Sequence, residues 1–115
     1  MIDISTAALP AAVADYFART TGGDPQDPVE LFAATATVTD EGHTYQGREA
    51  IATWMSKTGG EFTFTVTPVK TEHDAMTTTV VNRLEGNFPG GIVDLRYRFT
   101  LTPSQDAIQD LLIAP

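Results

Sequence analysis

The chain contains no cysteine, which excludes disulfides, thiolate metal ligands and a thiol nucleophile. Positive charge is scarce: seven Lys and Arg stand against fifteen Asp and Glu, a formal net charge of −8. With no basic run to offset it, such a surface repels phosphate backbones and argues against a nucleic-acid partner. No apolar run approaches the length of a membrane span, and Met1-Ile2-Asp3 opens without the basic and apolar stretches of a leader. The expectation is a cytoplasmic protein with no membrane partner. Repeats, low-complexity tracts and linkers are also lacking, so the chain is read as a single domain, 1–115, long enough to bury a core. There is no GxSxG elbow and no phosphate-binding glycine loop. Gly59-Gly60 and Gly90-Gly91 read as turns instead.

What is present is organised around Ala36–Met55, ATVTDEGHTYQGREAIATWM. Its first part alternates, with Ala36, Val38 and Asp40 on one side of an extended segment and Thr35, Thr37 and Thr39 on the other. Asp40 therefore points the way Val38 points, toward the core. A carboxylate there is costly unless it is hydrogen-bonded, paired or placed in a cavity that uses it. Glu41 to Gly47 reads as a turn-rich segment, and Ile51, Trp54 and Met55 fall at helical spacing after it.

Before this stretch, Leu9, Val13, Tyr16, Phe17 and Thr20 form one stripe of an amphipathic helix that starts close to Leu9, with Pro10 in its first turn and Gly22-Gly23 ending it. Asp27-Pro28-Val29-Glu30 has the pattern of a capping box and launches a short helix through Leu31 and Phe32. After it, Gly59-Gly60 stops the third helix. Phe62, Phe64 and Val66 alternate with threonines as a half-buried strand, and Pro68 marks an edge, a bulge or a strand end. Glu72-His73-Asp74 reads as a turn. Met76 to Glu85 has Val80, Asn82 and Leu84 on one face; Asn87 to Gly91 is a hairpin loop. Val93, Leu95, Tyr97, Phe99 and Leu101 make an apolar face opposite Asp94, Arg96 and Arg98; Pro103 to Asp106 turns the chain into a last strand, Ala107 to Ile113. Three helices around one short strand, then four strands in a meander, is an α+β arrangement.

The string LPAAVADYFARTTGGDPQDPVELFAATATVTDEG…YQGREAIATWM, followed by strands ending in VDLRYRFTLTPSQDAIQDLLI, resembles the nuclear-transport-factor-2-like superfamily. It is most similar to SnoaL-like polyketide cyclases and ketosteroid isomerases. The resemblance covers essentially the whole chain. It implies a cone-shaped, curved antiparallel sheet with three helices from the N-terminal half packed over its open end, an apolar pocket inside, and a homodimer formed through the outer face of the sheet. Ketosteroid isomerases use a helix-one tyrosine as oxyanion donor and an aspartate ending the next strand as general base, a pair that also serves as a standard illustration of pKa tuning. Tyr16 and Asp40 match those two positions without a gap. The third isomerase group, a protonated aspartic acid, has no counterpart; Tyr97 stands near that place, and its neutral phenol can donate instead.

The resulting expectation is a small cofactor-independent enzyme of isomerase or cyclase type, abstracting a proton next to a carbonyl of a hydrophobic small molecule. Asp40 is the base, with Tyr16 and Tyr97 as donors. Phe17, His43, Trp54, Phe64, Asn82 and Phe99 are the expected ligand-binding residues. Each has a plainer alternative. Asp40 can cap the turn by bonding the backbone of Gly42 or His43. Tyr16 and Tyr97 can be amphipathic wall residues, Trp54 core, and His43 a solvated loop histidine. Asn82 either hydrogen-bonds inside the pocket or reflects a misread face. His43 with Asp40, Glu41 or distant His73 matches no metal-ligand spacing, so neither metal nor cofactor is expected. Two further functions fit the same fold: a non-catalytic small-molecule-binding module and a protein-interaction domain docking through the sheet.

Overall fold

The computed structural model describes residues 9–20, 27–61, 64–74 and 77–115, without the side chains of 58–61 and 64. Helix α1, Ala11–Thr20, starts directly after Pro10, whose carbonyl accepts from the Ala14 amide at 3.0 Å. A proline there loses nothing, because the first helical N–H groups have no intrahelical partner. The helix buries Ala12, Val13 and Tyr16, with Phe17 partly buried beside them. The expected stop at Gly22-Gly23 lies outside the described residues.

Asp27 caps the next segment, its Oδ1 accepting from the Val29 amide at 3.0 Å. Pro28–Leu31 is a single 3-10 turn, shorter than the expected helix, because fully buried Phe32 is already extended and opens strand β1. Glu30 turns toward Arg19 (3.5 Å), and Arg19 Nη1 also donates to the Asp27 carbonyl at 3.0 Å, which ties α1 to this turn.

Strand β1, Phe32–Asp40, buries Ala36 and Val38 and turns directly into β2, His43–Gln46. The expected turn-rich segment is thus a hairpin. Glu41 (φ 52°) and Gly42 (φ 78°) form its two-residue tip, and positive φ at both positions matches the twist of the paired strands. Gly47, at φ 88°, then redirects the chain: its N–H donates to the Ala36 carbonyl at 2.9 Å and its own carbonyl accepts from Ile51 at 3.0 Å. Helix α2, Arg48–Glu61, buries Ile51 and Trp54. It runs through Gly59-Gly60 instead of stopping there, since these sit in a last turn whose carbonyls lack helical partners in any case.

Four longer strands follow: β3 Phe64–Asp74, β4 Thr77–Gly86, β5 Ile92–Leu101 and β6 Ile108–Ala114. Glu72-His73-Asp74 continues β3, paired with Thr79, Thr78 and Thr77, where a turn was expected. The curved, unclosed sheet runs β2-β1-β6-β5-β4-β3. It is mixed, because β1 and β6 run parallel while the other four pairings are antiparallel. The expectation of a purely antiparallel sheet followed the local hairpins; pairing between the first strand and the last leaves no local signal. Both edges are poor templates for further strands: β2 is short, and β3 carries Pro68, a bulge and the Lys70–Glu72 ion pair (3.6 Å). The core lies between the concave face and the helices. It unites Val13 and Tyr16 of α1, Ile51 and Trp54 of α2, and Val38, Val80, Phe99, Leu111 and Ile113 of the sheet.

Candidate functional site

Asp40 ends β1 on the side of buried Val38 and is itself only half-buried. Its Oδ2 accepts a hydrogen bond from Trp54 Nε1 at 3.0 Å. The carboxylate is therefore engaged by a core residue of α2. Trp54 is 5% exposed, so its indole serves core and site at once, and Tyr45 of β2 lies tilted against it at 6.2 Å between ring centroids.

Cross-strand pairing extends the site across the sheet. Asp40 pairs with Ile113, Ile113 with Tyr97, Tyr97 with Val80, and Val80 with Thr71. Paired residues project on the same face, so one inward row runs from Asp40 through Tyr97 to Thr71. The neighbouring row contains Val38, Leu111, Phe99 and Thr78. Tyr16 comes down onto it from α1, its ring 5.3 Å from Phe99, 6.0 Å from Phe32 and 5.4 Å from Phe17; Phe17 in turn meets Tyr97 at 5.5 Å. Edge-to-face contacts of this kind fix ring orientation.

Electrostatics tie the three polar groups together. Burial raises the Tyr16 phenol well above the ordinary range, with the nearby Tyr97 phenol and the Asp40 carboxylate adding to the effect. Tyr97 is pushed up to about 12, first by burial and then by Asp40. Both phenols thus keep their protons at neutral pH and stand as hydrogen-bond donors within the field of one carboxylate.

The other expected residues divide. Phe17 is half-buried beside Tyr97, whereas Phe99 is fully buried beneath Tyr16 and Phe17 as a floor. His43 is exposed at the start of β2. Phe64 pairs with Gly86 at the start of β3, and its side chain lies outside the described residues. Asn82 is 1% exposed on the inner face of β4, and its Nδ2 has no partner among the described residues. Thr71 Oγ1 is likewise buried without a partner among the described residues. Each such orphan typically costs about 1–3 kcal/mol. Tyr45 and Thr71 were missed from sequence, Tyr45 because its strand was read as turn and Thr71 because a bulge changes its face. Tyr45 pairs with buried Val38, and the VxDxxxxY spacing of a tight hairpin was the signal available. Among the described residues no three His, Asp or Glu side chains come together in a way suited to a metal ion, and no helix is long and apolar enough to cross a membrane.

A family model for the SnoaL-like domain matches residues 13–108. The chain belongs to the SnoaL-like family. A candidate polyketide cyclase from Sinorhizobium meliloti shares 31% identity with this SnoaL-like chain, over 95% of it and 98% of the other protein, at a TM-score of 0.86. SalBIII, an epoxide hydrolase/cyclase-like enzyme of pyran ring formation in salinomycin, superposes at 0.72 with 24% identity over 89% and 85% of the two chains. A Δ5-3-ketosteroid isomerase from Mycobacterium sp. does so at 0.72 with 19% identity over 91% and 90%. The last two share the SnoaL-like fold at identities that speak for architecture alone. A search of curated proteins by sequence finds no match.

Proposed function

We propose that this SnoaL-like protein is a cofactor-independent enzyme that moves a proton next to a carbonyl of a hydrophobic small molecule, as an isomerase or cyclase does. The observation that carries this reading is the Asp40 carboxylate on the inner face, held through Oδ2 by Trp54 at 3.0 Å and electrostatically coupled to two neutral phenols. Asp40 takes the α-proton and becomes neutral, while the electron pair moves onto the carbonyl oxygen as an enolate. Negative charge thereby leaves the carboxylate and arrives at an oxygen facing the donors Tyr16 and Tyr97. The same transfer removes the charge that had opposed ionisation of the phenols. Return of the proton to a second carbon gives an isomer; attack of the enolate carbon on an electrophile within the same molecule gives a ring. Phe17, Leu95 and Tyr45, all partly buried apolar residues against the core, would border the bound body of the substrate.

The test is exchange of α-protons on a panel of cyclic enones in deuterated buffer, with a parallel ligand titration. Asp40→Asn should lower the exchange rate about 100-fold or more while affinity stays within a few-fold, because the amide keeps the shape and loses the basicity. Equal exchange by both proteins would remove Asp40 as the base, and binding without exchange by the parent would leave a ligand-binding module.

A further inference from the structure

Two polar atoms on the concave face remain unused by the proton-transfer centre: Asn82 Nδ2 and Thr71 Oγ1, both buried and without partners among the described residues. Asn82 lies between Val80 and Leu84 on the same strand face, 1% exposed, where an apolar residue would avoid the stranded amide. Thr71 reaches the inner face only through the irregularity in β3. Pro68 pairs with Asn82 and Lys70 with Val81, so one extra residue, Val69, is accommodated between them. Beyond this bulge the alternation is reversed: Lys70 and Glu72 pair on the outer side, and Thr71 faces inward opposite Val80. On adjacent strands and offset by one pleat, Thr71 and Asn82 are within reach of one ligand group.

We infer that Asn82 and Thr71 form a second polar subsite that takes a neutral oxygen at the far end of an elongated, otherwise apolar ligand whose reacting α-carbon lies at Asp40. This rests on the reading of Asp40 given above. Thr71 closes the inward row that starts at Asp40, four strand steps away, roughly 19 Å along the sheet and less across the hollow of its curve. Between the two ends the row presents Ile113, the Tyr97 ring and Val80, so a body lying on them meets apolar surface apart from the Tyr97 hydroxyl, which the proposed reaction already uses. The amide donates and the hydroxyl donates or accepts. No Lys or Arg occupies an inward position of β3, β4 or β5 among the described residues, so a ketone, ether or hydroxyl oxygen fits better than a carboxylate. The amide is shut from solvent, and half-buried Leu95 pairs directly across from it.

Trp54, the single tryptophan, supplies the readout. Its fluorescence is titrated with androstenedione and with the matching tetracyclic enone lacking the far ketone. The parent should bind the diketone about tenfold more tightly. Asn82→Leu and Thr71→Val, tested separately, should each bring the ratio of diketone to mono-ketone affinity down from about ten to about one. Equal binding of the two ketones by the parent, or an unchanged ratio in both variants, would overturn the subsite and assign the orphan atoms to an internal water, with Asp40 untouched. If neither ketone perturbs Trp54, the subsite and the placement of the reacting end at Asp40 fall together.

Discussion

At position 40 a carboxylate follows Val38 inward, and the indole N–H of Trp54 meets it at 3.0 Å. The alternation of ATVTD and the helical spacing of Ile51 and Trp54 announce both residues, yet neither pattern says where an indole nitrogen points. Trp54→Phe removes the donor while keeping most of the ring. It should cost about 1–2 kcal/mol in urea denaturation followed by circular dichroism, and enone exchange should slow with affinity largely retained. The phenols make a separate prediction. Because their pKa values are raised in the folded protein, the folded state holds protons that the unfolded chain releases above the ordinary tyrosine value of 10.0. Their contribution to stability is complete below pH 10 and is lost as pH climbs toward 12 and beyond. Phenolate absorbance assigned to Tyr97, taken as the difference between parent and Tyr97→Phe, should rise near 12 in the native protein and near 10 in urea. A native rise near 10 would contradict the burial argument.

Among the elements, those set by periodicity were legible: α1 from its stripe, the capped turn from Asp27-Pro28, β4 and β5 from alternation. β2 and the bulge were not. β2 is four residues long with one partly buried side chain, Tyr45, too short for alternation to register beside the turn chemistry of Asp-Glu-Gly. Pro68 does signal an edge or bulge, and it lies on the outermost strand next to one; which residue is extra depends on the partner strand. Deleting Val69, 52% exposed at the bulge, closes β3 into a regular ladder in which Lys70 still pairs with Val81 and Thr71 with Val80, so stability should change by no more than about 1 kcal/mol in urea denaturation. A loss of more than about 3 kcal/mol would mean that the packing of the sheet requires the bend at the bulge. Gly47→Ala, at φ 88° with nothing within 4 Å of the added carbon, should cost about 1 kcal/mol from backbone strain alone.

On the scale of the whole molecule, one buried cluster among the described residues spans α1, α2 and the sheet, which joins them in a shared core. Unfolding should be a single transition, with Trp54 fluorescence and far-ultraviolet circular dichroism superimposing in urea; separated midpoints would mean that α2 and the sheet unfold independently. The sequence by itself determined the class of fold, the stripe bearing Tyr16 and the apolar row of β5, because each follows from a period of 2 or 3.6 residues that the backbone imposes locally; for Asp40 it offered the side of Val38 and a turn cap as alternatives. Only the tertiary structure decided that β6 lies parallel to β1, that this pairing places Ile113 between Asp40 and Tyr97, that Trp54 grips the carboxylate and that Thr71 faces inward. Those facts depend on contacts between segments far apart in the chain, whose registers are set by burial of the shared core and leave no periodic mark on either segment alone.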